Sequence, residues 1–514
     1  MRPEALSTFA AAKTGAQAAP FAAGERIVGA LQRKLGARLV ETHISWVLLG
    51  AGQVWKIKKP VTLPFVDFST LEARRRMCAE ELQLNRRLAP SIYQAVVPVT
   101  GEPDDPVLGG SGPAIEWALV MRRFADGALF SERLAAGTLT PALVDKLAER
   151  LATFHAAAPR ASAGTAYGSP TRIAADTCHL LEGLAAHGVQ TQAFETWARS
   201  QASALDGHWR ARQREGWVRE GHGDLHLANL FAEGDEATAF DGIEFDPAMR
   251  WIDVQADIAF TVMDLTAHGR TDLGFRFLDR WLAATGDHAG LAVLRYYLVY
   301  RALVRAMVAT LHSPVTEAPD YLGLARHWIA PASGRLLLMH GVSGSGKSTI
   351  AERLLERAGA VRLRSDVERK RLHGLAALAR SGAGLGDGPY DAAGTEQTYA
   401  YLRDAAHHAL AAGWPVIVDA TFLSEAPRRM FRALADQMRV PFSILHCEAP
   451  RDVLAVRLAQ RAAAASDASE GGTEVLEHQL RTQQLLAEDE LAHVLPLAGD
   501  IDALAAHWLA ADAR

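Results

Sequence analysis

The chain has 514 residues, with 54 Lys and Arg against 59 Asp and Glu for a net charge of −5, and it is 49% hydrophobic and 22% charged. These values exclude a fibrous or wholly disordered chain and give no basis for a broad nucleic-acid or membrane-binding surface; the length suits two to four domains of about 150 residues. Three dispersed cysteines, Cys78, Cys178 and Cys447, argue against a disulfide scaffold or a Cys-rich zinc site and suit a reducing, cytoplasmic setting. No run approaches the roughly 18 apolar residues of a spanning helix.

In chain order, residues 1–24 are Ala-rich without a compact apolar run and are expected to be a flexible tail. From Glu41 to Lys59, ETHISWVLLGAGQVWKIKK places two β-branched runs around Gly50-Ala51-Gly52 and reads as a hairpin. Ser69 to Leu88 is a charge-rich helix, with Ser69 as the expected N-cap and Glu72 three residues on. YQAVVPV and AIEWALVMRRF are strand-like, on either side of a Gly/Pro/Asp loop at 101–113. Helical periodicity then runs from about Pro141 to Leu311, broken around 217–247 by Gly, Asp and strand signals.

Pro314, Pro319 and Pro331 mark a boundary, the last two bracketing a short helix, YLGLARHWI. Beyond it strands and helices alternate: RLLLMH, a helix from Lys347, VRLR, a helix around 391–412, PVIVD, a helix and FSILHC. That order predicts βαβ units on a parallel sheet. Segments 379–388 and 462–472 read as mobile loops. The expected division is a tail at 1–24, a first domain at 25–325, a linker at 326–333 and a second domain at 334–514.

The broken region carries the first chemical signal. Glu220-Gly-His222-Gly223-Asp224-Leu-His-Leu-Ala-Asn229, followed by Asp241, has the H-x-D-x-x-x-x-N spacing of a kinase catalytic loop and its metal-binding Asp. One carboxylate, Asp224, is suited to an acceptor hydroxyl, while Asn229 and Asp241 are suited to Mg²⁺ on ATP phosphates. The other use of this text, metal binding by His222 and His226, lacks a third ligand.

The second signal is Gly341-Val-Ser343-Gly344-Ser345-Gly346-Lys347-Ser348-Thr349, a G-x-x-x-x-G-K-S phosphate loop between an apolar strand and a helix. Its glycines let backbone N–H groups turn towards phosphates, Lys347 supplies charge to them and Ser348 offers a hydroxyl to Mg²⁺. Asp366 and Asp419 follow strands, where such a sheet presents its ligands, Asp419 in a Walker-B-like position. Arg362, Arg364, Arg369, Lys370 and Arg371 form a local basic cluster; with no aromatic interleaved, nucleic acid is not the expected partner.

GVSGSGKST, LRSDVERKRL, VIVDATF and HCEAPRDVLAVRLAQR resemble P-loop small-molecule and polynucleotide kinases, including gluconate-kinase-like and zeta-toxin-like enzymes, over about 334–490. The resemblance implies that Asp366 binds and deprotonates an acceptor hydroxyl and that Arg457 and Arg461 are lid arginines on the transferred phosphoryl. HGDLHLAN with FDGIEFDP and ADIAF resembles aminoglycoside phosphotransferases and choline- or sugar-kinase-like enzymes. Together with VWKIKKPV and EELQLNRRLAP, the whole text from about Glu41 to Gln484 resembles a bacterial family of bifunctional aminoglycoside-phosphotransferase-like/ATP-binding proteins. That resemblance implies Lys56 as the ATP-phosphate lysine, with Lys58 the alternative. It implies Glu80 as the helix partner, with Glu81 less favoured, a hinge at Trp117–Phe124, and Asp253 and Asp257 bracing the catalytic loop. LLGAGQ departs from G-x-G-x-x-G, and Phe240-Asp241-Gly242 departs from D-F-G.

The expectation is an α+β protein-kinase-like domain followed by an α/β P-loop domain with a parallel sheet. Each would bind ATP or another NTP with Mg²⁺ and phosphorylate a hydroxyl of a small polar metabolite such as a sugar or amino sugar. The competing readings make one nucleotide site a regulatory switch or the P-loop half a nucleic-acid-end kinase. Oligomeric state is left open by the sequence.

Overall fold

Helix α1, Ala18–Leu35, begins inside the stretch expected to be a tail. Alanine is the strongest helix former, and the helix is fixed by Phe21, whose ring lies 5.3 Å from that of Trp46 in the core. This is a computed structural model, and it describes residues 18–63, 66–311, 318–332, 334–381, 387–464, 468–496 and 500–510. Residues 1–17 of the expected tail, and parts of the expected loops at 379–388 and 462–472, lie outside the described residues.

Two compact units emerge, one reaching up to Asp264 and taking in Tyr296–Ile329, the other formed by Leu265–Arg295 and the chain from Ala330 onward. In the first, β1 (Arg38–Glu41), β2 (Ser45–Leu49) and β3 (Gln53–Lys58) form a meander. Helix α2 (Leu71–Asn85) follows, then β4 (Tyr93–Glu102), β5 (Asp105–Leu108) and β6 (Glu116–Arg122). The antiparallel sheet runs β1-β2-β3-β6-β4-β5 and sets Lys56 opposite Val47 on one side and Leu119 on the other. The N-cap of α2 is Thr70, whose hydroxyl accepts from Ala73 N at 3.1 Å, rather than Ser69, whose own N–H is taken by Asp67.

The rest of this unit is mainly helical, including α3 (Pro141–Ala157) and α4 (Gln192–Glu215). Short strands interrupt it: β7 (Val218–Glu220), the hairpin β8 (Leu230–Glu233) and β9 (Glu236–Ala239), and β10 (Trp251–Asp253), which pairs with β7. These strands hold the catalytic-loop text between them. Then come α5 (Val254–Ala267), α6 (Thr271–Thr285), α7 (Leu291–Leu311) and α8 (Tyr321–Ile329).

The second unit is a parallel sheet of β11 (Arg335–His340), β12 (Val361–Arg364), β13 (Pro415–Asp419) and β14 (Phe442–His446) in the order β12-β13-β11-β14. Its helices include α9 (Lys347–Ala358), α10 (Ser365–Leu372), α11 (Ala392–Ala411), α12 (Glu425–Met438), α13 (Arg451–Ala464) and α14 (Thr473–Thr482). The strands are near-continuously buried, as a parallel sheet covered on both faces requires.

Helix α6, expected in the first domain, packs in this second unit. Its Asp279 receives two hydrogen bonds from Arg362 of β12, at 3.1 and 2.8 Å, with both side chains buried. Arg276 meets Glu352 and Glu356 of α9 at 2.9 and 2.8 Å, and Arg280 meets Glu352 at 2.6 Å. His288 reaches Glu368 at 3.2 Å, and Trp414 donates to Leu291 O at 3.1 Å.

Candidate functional site

In the first unit, Lys56 and Lys58 lie two residues apart on β3 and therefore share a face of the sheet. Lys56 Nζ meets Glu81 at 2.8 Å and Asp241 at 2.5 Å; Lys58 Nζ meets Glu81 at 2.5 Å and also Glu244. Glu81 is therefore the lysine partner. Glu80, the expected one, is turned about 100° around α2 and pairs instead with Arg250 at 2.8 Å. Burial disfavours charge on both lysines, yet Asp241 and Glu81 hold Lys56 well above its ordinary value. Glu244 and Glu81 likewise push Lys58 up to about 12.

Asp241 has φ = 62°, a left-handed conformation that an Asp tolerates better than most residues but at a cost. Tyr93 OH accepts its backbone N–H at 2.9 Å, and Asn85 Oδ1 accepts that of Gly242 at 2.7 Å. Two side chains from other elements thus pin the turn that aims this carboxylate.

The catalytic-loop residues converge as their spacing predicts. Asn229 Nδ2 donates to Asp224 Oδ2 and to its backbone O, both at 3.0 Å, while Phe240 N bonds to Asn229 O at 3.0 Å. Asp257 accepts from the backbone N–H groups of His222 and Gly223, at 2.8 and 2.9 Å, and meets His155 Nε2 at 3.1 Å. Asp253 does not brace this loop; it pairs with Arg212 of α4 at 2.6 and 2.7 Å. Gly223 has φ = 87°, and a Cβ there would stand 2.6 Å from Met249 O, so the loop admits no side chain at this point.

His222 faces Phe240 O through Nε2 at 2.9 Å and accepts from Asp224 N through Nδ1 at 3.3 Å. It is an internal brace, and burial holds its pKa below the usual histidine value. Among the described residues no group of three or more His, Cys, Asp or Glu is placed to hold a metal ion. For Asp224 burial opposes ionisation, but His226, with Nε2 3.4 Å away, together with His222 and Arg301 holds it well below the ordinary carboxylate range. Asp224 is therefore ionised at neutral pH.

In the second unit the loop from Gly341 to Ser348 links β11 to α9. Gly341 has φ = 138°, and an added Cβ would lie 2.3 Å from Cys447 O, so backbone packs directly on backbone beneath the loop. Lys347 Nζ donates to Val342 O at 2.7 Å, and burial holds its pKa down although Asp419 raises it. Ser348 Oγ donates to Asp419 Oδ1 at 3.1 Å, while Asp419 Oδ2 is buried without a hydrogen-bond partner and lies 3.7 Å from Arg364 Nε. A hydroxyl beside a carboxylate suits Mg²⁺, a hard cation that prefers oxygen ligands. In the first site Asp241 and Asn229 provide the same ligand class.

A cleft of about 1080 Å³ lies over this loop, lined by Ser343 to Thr349 and also by Asp366, Asp419, Arg457 and Arg461. Of the residues expected of this site, all but Gly341, which packs on Cys447 beneath the loop, line this one cavity. Arg457 Nη1 donates to Gly344 O at 3.2 Å, and Arg461 Nη2 to Gly471 O at 2.7 Å. Gln479 of α14 accepts from Ser343 N at 2.8 Å, and the buried Arg369 packs on Tyr390, Cζ to ring 5.2 Å, in the same cleft. The basic cluster is dispersed: Arg364 and Arg369 face the cleft, Arg362 is paired with Asp279, Lys370 donates to Ala377 O, and Arg371 bonds to Glu368.

Glu244, Tyr93, Asn85 and His155 escaped sequence reasoning. Two lysines on one strand face call for more than one buried anion, and Glu244, three residues after Asp241, was the available signal.

Residues 336–486 match the AAA_33 family, described as an AAA domain. The protein Rv2004c of Mycobacterium tuberculosis (strain ATCC 25618 / H37Rv), itself described as uncharacterized, is 31% identical over 441 residues, covering 84% of this chain and 87% of its own. Among solved structures, a gluconokinase from Sinorhizobium meliloti 1021 is 21% identical, with 35% of this chain and 90% of that one covered and a TM-score of 0.23. An ADP-bound aminoglycoside phosphotransferase is 13% identical, with 59% of this chain and 96% of that one covered and a TM-score of 0.34.

Proposed function

This chain belongs to the same family as the mycobacterial protein Rv2004c, and we propose that it is a phosphotransferase with two Mg·ATP sites, one in each compact unit, acting on a hydroxyl of a small polar metabolite. The observation that supports it is the recurrence of one chemical set on two unrelated scaffolds. Lys56, Asp224, Asn229 and Asp241 gather in the first unit, and Lys347, Ser348, Asp366 and Asp419 in the second.

In the first site Lys56 faces the ATP phosphates, and Asn229 and Asp241 would hold Mg²⁺. Asp224 takes the hydroxyl proton as the acceptor oxygen bonds to the γ-phosphorus and the bond from that phosphorus to the β–γ bridging oxygen breaks, the oxygen leaving with ADP. In the second, the backbone of Gly341–Ser348 cradles the phosphates, Ser348 and Asp419 would hold the cation and Asp366 faces the acceptor. Arg457 and Arg461 stand where charge on the transferred group accumulates. Bound Mg²⁺ neutralises phosphate charge; the side chains contribute orientation and electrostatic complementarity, the main sources of rate in phosphoryl transfer.

The test is ADP formation against sugars, sugar acids, sugar phosphates and amino sugars, with Asp224→Ala and Lys347→Ala chains assayed separately. Each substitution is expected to abolish one acceptor-dependent activity, by 10³-fold or more, and to spare the other. A chain in which either substitution removes all turnover would overturn two independent sites and favour a switch. Acceptor-dependent phosphorylation of an oligonucleotide end is not expected.

A further inference from the structure

Resting on the phosphotransferase reading of the first site, we infer that its acceptor is an anionic hydroxyl compound, whose carboxylate or phosphate group is received by Arg301 and Arg305 of α7. The two arginines are four residues apart and so share a helix face. Arg301 is buried, 7% exposed, and is fixed by its Nε, which donates to Ala256 O at 2.9 Å. Its guanidinium carbon lies 4.8 Å from the centre of the Phe260 ring. The His226 ring meets Phe260 at 5.6 Å, and His226 Nε2 is 3.4 Å from Asp224. A chain of contacts therefore joins Arg301 to the hydroxyl-facing carboxylate.

Among the described residues Arg301 makes no ion pair within 4.0 Å. Asp224 balances its charge only from beyond ion-pair distance, and a guanidinium buried without a directly bonded anion carries a desolvation cost that a bound one offsets. Arg305 lies against Tyr321, Cζ to ring 5.5 Å, and its Nε is buried without a hydrogen-bond partner.

The neighbouring carboxylate Asp264 is already engaged. It accepts from Leu227 N through Oδ2 and from Tyr321 OH through Oδ1, both at 2.9 Å. A cationic acceptor would approach two guanidiniums with only Asp224, the proton acceptor, to balance them. An anionic acceptor instead gains two donors of the forked geometry that suits carboxylate and phosphate.

The experiment uses the full chain carrying Lys347→Ala, which silences the second site, with Mg·ADP for binding and Mg·ATP for turnover. Gluconate and glucose 6-phosphate are the anionic probes, distinguishing carboxylate from phosphate; glucose is the neutral probe, and glucosamine and kanamycin are the cationic ones. At least one anionic probe is expected to bind, and to do so at least 10-fold more tightly than any of the others. Arg301→Gln and Arg305→Gln should each weaken it at least 10-fold, raising KM more than they lower kcat, while Arg301→Lys, which keeps the charge but loses the fork, weakens it less than Arg301→Gln does.

Unchanged second-site nucleotide binding in chains that keep Lys347 confirms folding of the variants, with Arg305→Gln decisive if Arg301→Gln does not fold. Tighter binding or faster turnover of glucosamine or kanamycin overturns the inference. So does the absence of anion binding, or anion binding indifferent to both arginines. Failure of the Lys347→Ala chain to bind Mg·ATP at all would instead overturn the phosphotransferase reading of this unit.

Discussion

Glu80 and Glu81 differ by one position and by everything that a helix does with one position. Glu81 is fully buried between Lys56 and Lys58, whereas Glu80 reaches Arg250 on a partly exposed flank. Glu81→Gln should lower first-site kcat/KM at least 10-fold, about 1.4 kcal/mol, and Glu80→Gln less than about threefold; steady-state kinetics with Lys347→Ala in the background reads both. The clustering of Asp224, Asn229 and Asp241 was legible because their spacing is the one that the proposed acceptor and cation roles ask of one loop. The phase of α2 was not legible, because its text, EARRRMCAEEL, has charge on every side.

A second residue-scale expectation concerns His340, at the end of β11, whose Nδ1 lies 2.6 Å from His446 Nδ1. Burial, with His446, Arg428 and Lys347 adding to it and Glu490 opposing, lowers its pKa from 6.5 to about 4. The folded state therefore keeps it neutral where the unfolded chain takes up a proton. Its contribution to stability is complete above pH 6.5 and is lost as the pH falls from there through about 4. Denaturant midpoints of the second unit should decline across that window, and less steeply in a His340→Gln chain.

At the scale of elements, α6 is the clearest departure from expectation. Its amphipathic text is readable as a helix, but nothing local states that Asp279 answers Arg362, 83 positions later. Long-range pairing of this kind is fixed by the sheet it packs on. Asp279→Ala leaves a buried guanidinium without its anion and should cost about 3–5 kcal/mol, read as a fall in the unfolding midpoint of the second unit. A chain cut at Gly334, where the sequence invites the cut, lacks α6 altogether and should be less stable still. The strands RLLLMH, VRLR, PVIVD and FSILHC, by contrast, occur almost where their apolar runs stand, because short buried strands leave little freedom in where they begin and end.

At the scale of the whole chain, two unlike folds were legible because each carries a motif whose glycines and carboxylates suit phosphate chemistry. Calorimetry should give two nucleotides per chain, falling to one in Lys347→Ala. The ends of the units were less legible, since prolines at 314, 319 and 331 punctuate the text but do not mark every change of unit. The chain passes from the first unit to the second within α5, returns within α7 and leaves again after α8.

That double passage bears on how the protein is made. As synthesis proceeds, α6 emerges with Phe275, Leu278, Trp281 and Leu282, which are buried in the finished protein, and with Asp279 waiting for an arginine 83 residues downstream. At roughly 5–20 residues per second, the delay is on the order of ten seconds. During that interval a greasy helix sits beside the ribosome with its eventual cover still untranslated, which makes this segment a natural client for a chaperone and a point where slow codons would be felt.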